Sequence, residues 1–84
     1  MAQILIVDDQ MDIRRLLSIT LSKHYETLEC ADGASAIELI RKHRPPVILL
    51  DVMMPGEIDG LQVLDAVKSD PQTRHIAVAM VSAR

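Results

Sequence analysis

Three short apolar runs in this chain end in oxygen-bearing side chains. Ile4-Leu5-Ile6-Val7 runs into Asp8-Asp9, Val47-Ile48-Leu49-Leu50 into Asp51, and the stretch from His75 to Val81 into Ser82. If the runs are parallel strands, their polar ends lie along one edge, and neighbouring strands sit about 4.8 Å apart. Should the first and third runs be neighbours, Asp8, Asp9 and Asp51 converge. Two carboxylates at ~4–5 Å repel by about 3–4 kcal/mol at an effective dielectric of about 20. Three of them call for a cation or for shifted pKa values. Hard oxygen donors at a partly solvated edge suit Mg²⁺, which keeps several of its waters. The spacing therefore predicts an acidic Mg²⁺ pocket. Each acid taken alone also has a local use: Asp8 or Asp9 could cap the helix that follows, and Asp51 could serve a turn.

The elements that must hold these groups can be read in order. The run from Val47 to Leu50, preceded by Pro45-Pro46, has the unbroken apolar character of a strand buried on both faces of a parallel sheet. Asp51 then falls at its carboxyl end, where open α/β sheets place their ligands. Ile13, Leu16, Leu17, Thr20 and Leu21 recur at helical spacing and predict an amphipathic helix from about Gln10 to Lys23, with Arg14, Arg15 and Ser18 on its wet side. Asp12 falls in its first turn, where it suits the helix dipole. The stretch from Glu26 to Ala31 is half polar, as an edge strand would be. Asp32-Gly33 is a turn with Asp32 as N-cap. Ala36, Ile37 and Ile40 form the apolar stripe of a second helix, with Glu38 and Lys42 paired outside, and Pro45-Pro46 ends it. After a loop from Met53 to Asp59, Gly60 to Lys68 reads as a third helix stopped at Asp70-Pro71, and His75 to Val81 as a fourth strand. The order β-α-β-α-β-α-β predicts a parallel sheet with right-handed crossovers and helices on both faces.

Bulk properties narrow the function. A chain of 84 residues makes one small domain, burying roughly 60–65% of its unfolded surface. Tyr25 is the only aromatic residue, so the core must be aliphatic. A net charge of −3 and the lack of a basic stripe argue against a nucleic-acid surface. Cys30 is the single cysteine, which excludes an internal disulfide; it reads as a small buried hydrophobe at a strand end. No run approaches the ~20 apolar residues of a membrane span. Met1-Ala2-Gln3 has no basic n-region of a signal peptide, so a cytoplasmic location is expected. His24, His43 and His75 are scattered and read as ordinary surface residues, and Met53 and Met54 as packing residues.

Ile4-Leu5-Ile6-Val7-Asp8-Asp9, Ile48-Leu49-Leu50-Asp51-Val52-Met53-Met54-Pro55, Asp59-Gly60 and Met80-Val81-Ser82-Ala83 together resemble the receiver domain of two-component response regulators. The resemblance implies a flavodoxin-like doubly wound parallel sheet of strand order 2-1-3-4. It implies that Asp51 accepts a phosphoryl group from a histidine kinase or phosphotransfer protein. Asp9 would bind Mg²⁺ directly, Asp8 would help through water, and Asp51 and the backbone carbonyl of Met53 would complete the protein ligands. Ser82 would be the switch hydroxyl, and Met54-Pro55 and Asp59-Gly60 would shape the loop framing the metal. Such a module signals, and no turnover of an external substrate is expected. The chemistry suits the residue types. A carboxylate is a competent nucleophile, and phosphoryl transfer needs positioning and charge neutralisation more than covalent help.

The sequence departs from the receiver pattern in two ways. One extra residue lies between Pro55 and Asp59-Gly60, which Gly56 can absorb in a tight turn while Glu57 stays solvated. Residues 1–84 also match only the N-terminal part of a receiver, and lack the last strand, the last two helices and the lysine after the fifth strand. Lys23 and Lys68 fall on helices and do not replace that lysine. The fourth strand, with Ile76, Val78, Met80 and Val81, is then expected to be an uncovered edge that supports a homodimer. An alternative follows from the same feature: a truncated, non-phosphorylated fragment serving as an interaction or self-association module. A haloacid-dehalogenase-like phosphatase would want a second acid two residues past the nucleophile, where this chain has Met53.

Overall fold

The computed structural model describes residues 1–81. The chain runs β1 (Gln3–Val7), α1 (Met11–Leu21), β2 (Glu26–Cys30), α2 (Gly33–His43), β3 (Val47–Asp51), α3 (Gly60–Ser69) and β4 (Ala77–Val81). All strand pairings are parallel, in the order β2-β1-β3-β4. This is the doubly wound, flavodoxin-like sheet that the receiver resemblance implied. The half-polar β2 takes an edge, and the apolar β1 and β3 take the centre.

The crossovers explain where the helices lie. From β1 the chain steps one way to β2, then back past β1 to β3 and on to β4. Right-handed connections therefore put α1 on one face and α2 and α3 on the other. The core follows that division. Leu5 and Val7 of β1 and Ile48 and Leu50 of β3 pack with Ala36 and Ile40 of α2 and Val63 and Val67 of α3. Each fully buried side chain of this kind contributes about 1.5–3 kcal/mol. The direction of winding reverses between β1 and β3, so the carboxyl-end crevice of the sheet opens there.

Caps fix the helix starts. Asp32 caps α2, its carboxylate accepting the Ser35 N–H at 2.8 Å. Asp59 and Gln62 form a capping box at α3, with bonds of 2.9 Å in each direction. At the far end of α3 the buried Thr73 hydroxyl donates to the Val67 carbonyl at 2.8 Å. Lys68 donates Nζ to the carbonyls of Arg74 and Ile76, tying the helix to the turn before β4.

Two expectations are corrected. Arg14 and Ser18 do not lie on the wet side of α1. Arg14 reaches Glu29, and Ser18 Oγ lies 3.0 Å from Thr27 Oγ1, so both face β2. Arg15 is exposed as expected, but so are Leu16 and Thr20 of the expected apolar stripe, together with Ile19, and no α1 residue is fully buried. The cause is the half-polar β2, whose Thr27 and Glu29 offer polar partners to the helix above. The second correction concerns Ile76, expected on an uncovered edge. It is fully buried ahead of β4, in the core cluster with Val63 and Val67. Among the described residues no helix is long and apolar enough to cross a membrane.

Candidate functional site

The register brings the acids together. Val7 pairs with Leu50 across β1 and β3, so the chain leaves the two central strands side by side, at Asp8 and Asp51. Asp8, Asp9 and Asp51 each present a carboxylate oxygen within 4.8 Å of the others. Asp8 and Asp51 are buried, both 3% exposed, and Asp9 is half-buried. The cluster sits in the crevice where the winding reverses, as the spacing predicted.

Local bonds hold each member. The Asp8 N–H donates to the Cys30 carbonyl at 3.2 Å, carrying the β1–β2 ladder one step past Val7. Its Oδ1 accepts the Gln10 N–H at 2.9 Å, which turns the chain into α1. Its carbonyl accepts Nη1 of Arg14 at 2.7 Å, and Nε of the same guanidinium lies 3.2 Å from Oε1 of Glu29. Asp51 Oδ1 accepts the Met53 N–H at 3.1 Å, so the residue expected to offer its carbonyl also orients the Asp51 carboxylate.

The loop beyond β3 is anchored at both ends. Met54 is buried in the core. The Ile58 carbonyl and side chain press against Gly33 at the start of α2, where a Cβ would lie 2.5 Å from the carbonyl oxygen. Between these anchors the chain turns at Gly56, whose φ is +102°, and Glu57 is exposed, as expected. An open cleft beside the acids is lined by Asp9, Val52, Met53, Pro55, Asp59 and Leu61. Met53, expected as a packing residue, is exposed because it lies outside the core that takes Met54, and with Leu61 it gives the cleft an exposed apolar rim.

Ser82, the expected switch hydroxyl, lies outside the described residues. Asp51 pairs with Val81, the residue before it, and Val52 donates its N–H to the Val81 carbonyl at 3.2 Å. Arg14 was missed by sequence reasoning. The available signal was its place in the first turn of α1, six residues after Asp8, facing a strand that carries Glu29. At the β2 end Cys30 is half-buried rather than the fully buried hydrophobe expected, because β2 is an edge strand; this partial burial and the nearby Asp32 carboxylate push its thiol up to about 11.

Three hard oxygen donors within reach of one ion, beside an open cleft, are a donor set that fits Mg²⁺. A doubly wound α/β domain with an acidic pocket at its switch point is the class that fold and site define. A model of the response regulator receiver domain matches residues 4–84. The chain is 42% identical over 83 residues to the response regulator PleD of Caulobacter vibrioides, covering 98% of this chain and 18% of that protein. It is 43% identical over 67 residues to sporulation initiation phosphotransferase F of Bacillus subtilis, covering 79% of this chain and 53% of that protein. The N-terminal domain of a response regulator receiver protein from Methanoculleus marisnigri JR1 superposes with a TM-score of 0.90 at 34% identity, covering 98% of this chain and 67% of that one. The chain belongs to the response regulator receiver domain family, the signalling modules of two-component systems.

Proposed function

We propose that this chain is the N-terminal part of a cytoplasmic phospho-accepting receiver, with Asp51 as the acceptor and a phosphohistidine of a histidine kinase or phosphotransfer protein as the donor. The observation that carries the reading is the convergence of Asp8, Asp9 and Asp51 at the switch point of the sheet. The likeness to a protein named a phosphotransferase supports it.

The residues divide the work. Asp8, Asp9, Asp51 and the Met53 carbonyl would hold Mg²⁺, which when bound offsets the negative charge gathered by carboxylates and phosphoryl oxygens. The Met53 N–H steadies one Asp51 oxygen. A carboxylate oxygen of Asp51 forms the new bond to phosphorus as the donor P–N bond breaks. The electron pair of that bond returns to the imidazole nitrogen, and the product is an acyl phosphate. Ser82, next after β4, is the hydroxyl assigned to a phosphoryl oxygen, and its engagement would bias the loop that follows.

The test is incubation with Mg²⁺ and acetyl phosphate, read by intact mass. The expected result is one added phosphoryl group that requires Mg²⁺ and is lost in Asp51→Asn. Modification that persists in Asp51→Asn overturns the assignment of the acceptor.

Among the described residues β4 stands at an edge of the sheet, and we propose a second property on that ground. Its Val78 and Met80 pack partly against the core, and its outer backbone groups face away from β3. Such an edge pairs readily with another chain, so residues 1–84 are expected to self-associate through β4. A monomer at high concentration in analytical ultracentrifugation overturns this.

A further inference from the structure

Asp8 is gripped at three separate atoms, and only one of those grips comes from a side chain. Its N–H is fixed by the Cys30 carbonyl and its Oδ1 by the Gln10 N–H. Its carbonyl is fixed by Nη1 of Arg14 at 2.7 Å. That carbonyl belongs to the peptide joining Asp8 to Asp9, so its direction sets how the chain carries both carboxylates toward Asp51. The guanidinium is itself braced. Nε pairs with Glu29 Oε1 at 3.2 Å, and the Arg14 side chain is 18% exposed. Glu29 lies on β2, paired in register with Ile6 of β1, so the brace is rooted in the same sheet. One planar fork thus serves a backbone carbonyl and a carboxylate at once, which a lysine ammonium does not reproduce.

We propose that Arg14 is a positioning residue for the acidic site: by holding the Asp8 carbonyl it sets the Asp8–Asp9 peptide, and with it the two carboxylates that meet a divalent cation beside Asp51. This rests on the cation reading given above. Arg14 touches neither the cation nor the phosphoryl group in this role; it acts through Asp8.

The role makes a prediction opposite in sign to the obvious one. Arg14 is a cation beside an acidic cluster, and on charge alone its removal strengthens Mg²⁺ binding. As a positioning residue, its removal weakens binding. Supporting groups behind metal ligands typically change affinity 10–100-fold when lost. The experiment is calorimetric titration with MgCl₂ of wild type, Arg14→Ala, Arg14→Lys and Arg15→Ala. It is paired with NMR signals of the Asp8 carbonyl and of the Asp9 and Gln10 amides. Arg15 is exposed on the same helix and has the same charge. The expected result is affinity lower by about tenfold in Arg14→Ala, and weakened in Arg14→Lys despite the retained charge. Arg15→Ala should bind as wild type does or more tightly. The Asp8 and Gln10 signals should move in both Arg14 variants and stay in Arg15→Ala. If Arg14→Ala does not fold, Arg14→Lys carries the same comparison. Affinity unchanged or raised in the Arg14 variants overturns the proposal. Unmoved Asp8 and Gln10 signals overturn the positioning role whether or not wild type takes up the metal. Wild type that takes up no Mg²⁺ overturns the cation reading itself.

Discussion

Gly60 lies so close beneath Asp51 that a Cβ on Gly60 would overlap the Asp51 carbonyl oxygen and approach the Val52 Cα at 2.8 Å. The start of α3 is thus pressed against the strand end that carries the central acid, and the Gly60 N–H donates to the Val52 carbonyl at 3.3 Å. The obstacle is backbone, which cannot rotate aside as a side chain would. Gly60→Ala is therefore expected to cost about 1–3 kcal/mol through overpacking and to shift Asp51. A urea denaturation midpoint lower than wild type checks the first part, and weaker Mg²⁺ uptake checks the second. A variant as stable as wild type would refute the packing argument.

Asp32 should leave a signature at low pH. Its carboxyl is held below the usual carboxylate value of 3.8, first by the Ser35 N–H and then by the Ser35 hydroxyl. A depressed folded pKa means stabilisation that is present above the unfolded value and is lost as pH falls through the folded one. Asn also caps helices well but has no charge to lose. The stability difference between wild type and Asp32→Asn should therefore shrink as pH falls below 3.8, in denaturation midpoints measured across that range.

Cys30 should be a poor nucleophile while the protein is folded. Burial first, and then the Asp32 carboxylate, raise its pKa from 9.0 to about 11. A rise from 9.0 to about 11 cuts the thiolate fraction roughly hundredfold at pH values below 9.0. Alkylation by iodoacetamide is expected to be much slower in native protein than in urea at the same pH. The sign for stability is the reverse of that for Asp32. The raised thiol contributes below 9.0, and its contribution is lost as pH rises through about 11. Equal alkylation rates in the two states would refute the burial.

How much of this was readable from the chain differs from residue to residue. The run from Val47 to Leu50 announced a central strand because both its faces are apolar, and Asp51 at its end located the site. The cap at Asp32 was legible because a side chain bonding its own next turn is a local event, whereas Asp59, read only as a loop residue, turned out to cap α3. Arg14 was not legible either. An amphipathic reading sends arginine to solvent by type, whereas here a long apolar stem lets the guanidinium reach one acceptor just past β1, the Asp8 carbonyl, and one on β2, Glu29. Ile76 was misread for a related reason. Its burial depends on the turn held by Lys68 and Thr73, which no periodicity reports. The close approach of Gly60 is also a product of tertiary contact, and in sequence that glycine marks only the end of a loop.

The doubly anchored loop has a practical consequence. Met54 and Ile58 are fixed in the body of the domain, while Gly56 has nothing within 4 Å of where a Cβ would be and Glu57 is exposed. The added residue of this loop therefore sits on a short free span, and its length is decoupled from the acids on one side and from α3 on the other. That span is a natural attachment point. A cysteine placed at Glu57 could carry a fluorophore or spin label close to the cleft without entering it. It would supply the optical handle that a chain with one tyrosine and no tryptophan does not have of its own.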